Sequence, residues 1–117
     1  MRLVRLVLAT VALAASACSC GYGGALREFD QARYPEALEE LRRAESELPG
    51  LNAREQARYA LYRGLTHLAL GDRRATLHWL QGAKRALDAC PALLSDEDAG
   101  RLASAWSHLQ PEEEPGP

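Results

Sequence analysis

From Tyr59 to Leu87 the chain reads YALYRGLTHLALGDRRATLHWLQGAKRAL. The stretch describes two amphipathic helices folded against each other across a Gly71-Asp72 corner. Leu61, Leu65 and Leu68 recur at helical spacing before the corner, and Leu77, Leu80 and Leu87 after it. Small residues such as Gly64 and Ala83 stand where the helices would touch. Gly71 suits the left-handed conformation that ends a helix, and Asp72 is placed to cap the next one, Arg73 to about Ala89.

The rest of the chain follows the same pattern. Gly24 to Ala32 reads as a short first helix with Ala25, Leu26, Phe29 and Ala32 along one side. Pro35 suits the first turn of a second helix running to about Leu48, with Ala37, Leu38, Leu41, Ala44 and Leu48 on its stripe, before Pro49-Gly50. Asn52 with Glu55 predicts a capping box and a long third helix to Leu70. Ser95 and Asp98 mark the start of a last helix whose stripe is Ala99, Leu102, Ala103, Trp106 and Leu109. Ile is absent and Val occurs only near the start, while Ala, Leu, Arg and Glu dominate, which argues for helix over strand. At 117 residues and 47% hydrophobic content, one all-α domain over 24–110 is expected.

Met1–Ala17 places Arg2 and Arg5 before an apolar run from Leu6 to Ala15 and ends in Ala15-Ser16-Ala17, the layout of an export signal. The run is too short for a spanning helix, which needs roughly 20 apolar residues. Ala15-Ser16-Ala17-Cys18 resembles a bacterial lipobox, with Ala15 in the slot that is usually Leu. The resemblance implies a lipidated Cys18 and a flexible tether over 18–23, and Ser19 after the cysteine implies an outer-membrane address. Ordinary cleavage at the same bond would instead leave a soluble exported protein. Loss of Met1–Ala17 removes two arginines and no acid, so 14 basic residues become 12 against 16 acidic, and the formal charge of −2 becomes −4. That disfavours a nucleic-acid binder. Residues 111–117, with Glu112–Glu114 between prolines, have nothing to bury and read as a solvated tail.

A shift of 39 positions carries Leu38 onto Leu77 and Leu41 onto Leu80. It also carries Ala25 onto Gly64 and Ala32 onto Gly71, so both hairpins keep small residues at the close contacts. With Gly64, His67, Gly71-Asp72, Leu80 and Ala83 in one unit, and Tyr34, Glu36, Ala37, Leu41, Ala44 and Pro49 in the other, the segment from Gly24 to Ala89 resembles a tetratricopeptide repeat protein. Arg63 stands where that family prefers Leu, and Ala60 where it prefers Trp. The resemblance implies about two stacked helix pairs with a C-terminal capping helix. It also implies a concave surface formed by first helices, on which Arg58, Leu61, Tyr62, Leu65 and Ala69 would face a partner. The function expected is non-enzymatic protein binding or assembly in the cell envelope, with an envelope protein or peptide as partner, a lipid anchor in the membrane and no cofactor.

A metal-binding or catalytic protein using His67, His78 and His108 is the competing class, but none has a second ligand at metal-like spacing. Export would also place Cys20 and Cys90 in an oxidising compartment. Two free thiols are favoured there over a Cys20–Cys90 disulfide, because a lipid tether gains reach by staying loose.

Overall fold

The computed structural model describes residues 22–110. Among these, five α-helices and one 3-10 segment follow in order: α1 (Gly23–Asp30), α2 (Tyr34–Ala44), the 3-10 segment Glu45–Gly50, α3 (Ala53–Ala69), α4 (Arg73–Ala89) and α5 (Asp96–Leu109). The described residues hold no strand. The class is all-α.

The three best start signals act as the residue types require. Asn52 Oδ1 accepts the Glu55 amide at 2.8 Å, Asp72 Oδ1 accepts that of Ala75 at 3.1 Å, and Ser95 Oγ accepts that of Asp98 at 3.1 Å. Each satisfies a donor that the first helical turn leaves free. Neither Glu55 nor Asp98 completes a capping box by reaching back; Asp98 is buried and engaged elsewhere.

Three expectations need correcting. The first helix stops at Asp30, and Ala32, expected on its apolar stripe, is exposed with φ of 62°. The second helix stops at Ala44 rather than Leu48. Pro49 cannot donate to the carbonyl four residues back, and its ring crowds that carbonyl, which belongs to Glu45. The chain tightens into the 3-10 segment at that residue. On α5, Ala103 is exposed and Ala105 is buried with Leu102 and Leu109, so the helix is rotated slightly from the predicted face.

The two hairpin corners are built alike. The Arg33 amide donates to the Glu28 carbonyl at 2.8 Å and the Ala32 amide to that of Phe29 at 2.9 Å. The Asp72 amide donates to His67 at 3.0 Å and the Gly71 amide to Leu68 at 3.1 Å. These are the paired bonds of a Schellman cap, and each places one residue, Ala32 or Gly71, at positive φ. The corners fall at the 39-residue offset read from the sequence.

Packing is densest between α3 and α4. A Cβ added at Gly64 would lie 2.5 Å from Leu80 Cδ2 and 3.2 Å from the Leu80 amide nitrogen, so glycine sets the separation of these helices. Leu61, Leu80, Ala83, Leu94, Leu102 and Leu109 belong to one apolar core. Ala25, Leu41, Ala44 and Tyr59 form a second beneath α1 and α2. Trp79 lies against both. None of the described helices is long and apolar enough to cross a membrane.

Candidate functional site

The surface expected from Arg58, Leu61, Tyr62 and Leu65 is largely covered. Leu61 is 0% exposed and Tyr62 6%. Leu61 is packed into the apolar core, whereas Tyr62 is covered by the Phe29 ring, edge-on at 5.2 Å, and by α5 through an acidic residue in its first turn. Asp98 Oδ1 accepts the Tyr62 hydroxyl at 2.8 Å, and Asp98 Oδ2 pairs with Arg58 Nε at 3.1 Å. Arg58 and Arg101 each bring a guanidinium to 5.7 Å from the Tyr62 ring centroid. Burial first, then the hydrogen bond to Asp98, push the Tyr62 phenol up to about 12. Arg73 Nη2 ties the other end of α5 by donating to the Leu109 carbonyl at 3.0 Å. Arg58 and Tyr62 are therefore committed to holding α5, and only Arg58 keeps substantial exposure, 43% of its side chain.

Leu65 is half-buried and does line an open groove. With Phe29 and Leu68 it makes an apolar floor, and Arg101, Ser104 and His108 of α5 form the opposite wall. The groove holds about 620 Å³. Glu97 pairs with Arg101 at 3.2 Å along its edge. Ala69 is exposed.

Sequence reasoning did not anticipate the surroundings of Arg63. Its side chain is buried on α3, its Nη1 donating to Tyr59 Oη at 2.8 Å and to Glu45 Oε1 at 3.0 Å, and its Nε to His67 Nε2 at 3.2 Å. Its guanidinium carbon lies 4.7 Å from the centroid of the Trp79 ring, and Tyr59 in turn donates to the Leu41 carbonyl at 2.6 Å. The signal was present as a departure: an arginine where the family that the sequence resembles prefers leucine must bring its own partners when buried.

The three histidines are dispersed in role. His67 is buried with Nε2 as an acceptor, so it is neutral. Its pKa is lowered first by burial and then by Arg63. His78 is exposed on α4, edge-on to Trp79, and His108 is exposed on the groove wall. Among the described residues no three His, Cys, Asp or Glu side chains are grouped as a metal site. Cys90 is an exposed free thiol; Cys18 and Cys20, with the predicted signal and tail, lie outside the described residues. No protein-family model, curated protein or solved structure matches this chain.

Proposed function

We propose that this chain is a non-enzymatic protein-interaction module of tetratricopeptide type, held in the bacterial envelope by lipid on Cys18. The observation that carries the reading is the open groove between α1, α3 and α5, whose floor of Phe29, Leu65 and Leu68 is apolar and whose wall offers Arg101, Ser104 and His108. Such a trough takes an apolar side chain of an extended or helical peptide while the wall bonds its backbone or charge. The matched corners at Ala32 and Gly71 and the glycine contact at Gly64 support a repeat array. In this reading α5 is the capping helix and Asp98 is the pin that seats it.

Mass spectrometry of protein purified from the envelope tests the anchor: acyl chains on Cys18 are expected, and an unmodified Cys18 amino terminus overturns it. Cross-linking in isolated envelopes tests the groove. Ser104→Trp and Arg101→Glu alter its exposed wall, and both variants are expected to lose the cross-linked species while keeping the wild-type helical spectrum. Unchanged cross-linking in both would reject this groove as the binding surface.

A further inference from the structure

A second surface follows from where α2 stops. Set back by the 39-residue offset, the last turns of α4, Arg85–Ala89, correspond to Ser46–Gly50, which is 3-10 and not α-helix. The second hairpin therefore extends beyond the helix that should flank it. Along that stretch runs an apolar groove of about 580 Å³, beginning at Leu48 and Trp79 and continuing past Ala57, Ala60, Gly82 and Ala86. Gln56 fixes its edge, since Nε2 donates to both the Leu48 and Leu51 carbonyls at 2.9 Å. The floor is made of small side chains, and a Cβ at Gly82 would meet nothing within 4 Å.

We infer that this groove receives an amphipathic helix of a partner protein, in the place a longer α2 would have taken, with an acidic residue set against Arg85. This rests on reading the chain as an interaction module. Three observations choose the occupant. The opening lies where the internal correspondence calls for helix. Its alanine and glycine floor admits a helix backbone at close range, as at the Gly64 contact with Leu80. Its charge is one-sided: Arg85 and His78 line it, no carboxylate does, and Arg85 has no ion pair among the described residues. An incoming glutamate meets a guanidinium that is unpaired among the described residues, and an incoming lysine meets Arg85 and no lining carboxylate.

The test titrates the full chain, in a Trp106→Phe background so that Trp79 reports alone, with two stapled peptides about four helical turns long. Both carry one Leu/Ala face; the flanking charges are Glu in one and Lys in the other. The Glu peptide is expected to shift Trp79 emission saturably, with the Lys peptide at least about ten-fold weaker. Gly82→Leu fills the groove while replacing a helix-interior glycine by a better helix former. It should melt at or above wild type and weaken the Glu peptide at least about ten-fold. Arg85→Glu should reverse the preference between the peptides. Equal binding of both peptides, full binding to Gly82→Leu, or no binding of either would overturn the inference. So would displacement by dodecanoate with the same dependence on Gly82, which would assign the groove to acyl chains. Arg101→Glu, which alters the other groove and adds no tryptophan, should leave this titration unchanged, so failure here and failure of the proposed function are separately visible.

Discussion

The two hairpins turn the same corner with the same pair of backbone hydrogen bonds, yet they are held together by different means. Between α3 and α4 the contact is long, glycine-spaced and apolar, with Leu80 seated against Gly64. Between α1 and α2 it is shorter and includes the edge-on Phe29–Tyr34 ring contact, while Tyr59, bonded to the Leu41 carbonyl, and Glu45 of the 3-10 segment, bonded to Arg63, join this hairpin to α3. A corner is a local property and survives wherever its few residues allow it. The extent of a helix pair depends on what ends the helices, and Pro49 ends one of them early.

The sharpest way to break the comparison is to truncate the leucine at the same place in each hairpin. Leu80→Ala should cost about 2–5 kcal/mol in chemical denaturation, a large share of the roughly 5–15 kcal/mol of a small domain. Leu41→Ala, equally buried, should fall in the same range, whereas Leu77→Ala should cost less because Leu77 is half-exposed. Equal melting of Leu80→Ala and wild type would show that the glycine-spaced contact does not hold the hairpin.

Next in size is the contact residue itself. Gly64→Ala should destabilise by about 1–3 kcal/mol through overpacking against Leu80, despite the better helix propensity of alanine. Ala25→Gly, at the matching place in α1, creates no overlap and should cost roughly 0.5–1 kcal/mol from backbone entropy. A Gly64→Ala loss no larger than that of Ala25→Gly would remove the asymmetry between the hairpins.

The corners give opposite signs. Ala32 adopts a left-handed conformation that costs an L-residue about 1–2 kcal/mol, partly offset because glycine would widen the unfolded ensemble. Ala32→Gly should therefore raise stability by roughly 0.5–1 kcal/mol, and Gly71→Ala lower it by a similar amount. Both are read from thermal melts, and the same sign for both would contradict equivalence of the corners.

The smallest expected effect is on pH dependence. His67 has a lowered folded pKa, so the unfolded chain takes up its proton first as pH falls. Its stabilising contribution is full above the ordinary histidine value near about 6.5 and is lost on acidification from there toward the folded value. Protonation would remove the Nε2 acceptor from Arg63 and add a charge near Arg63 and Arg42, with Asp72 the carboxylate that opposes this. Denaturation midpoints at successively lower pH should therefore drop more steeply for wild type than for His67→Gln, and parallel slopes would sink the assignment.

The legible parts of the fold were those fixed by a few neighbouring residues. Asn52, Asp72 and Ser95 cap as their types require, Gly71 turns the corner, and α4 ends at Ala89 where Cys90-Pro91 closes it. Less legible were effects at a distance. Pro49 acts on the carbonyl of Glu45, four residues back, which a boundary drawn at Pro49-Gly50 overlooks. Tyr62 and Arg58 looked like free surface because their partner, Asp98, lies 36 and 40 positions away. Asp98 itself looked like part of a cap. Of the candidate site, Leu65 lines a groove, but not one built from first helices alone: the wall opposite comes from α5, whose rotation no local spacing fixes.

The setting of Arg63 bears on how the molecule unfolds. Its contacts come from the 3-10 segment, from α3 itself and from α4, through Glu45, Tyr59, His67 and Trp79. Peeling away the first hairpin would strip Glu45 from a guanidinium that α3 and α4 still partly enclose, a costly half-open state. The charge thus penalises partial opening more than it penalises complete unfolding. The two hairpins are therefore expected to melt together, and an uncharged residue in place of Arg63 is expected to weaken that coupling.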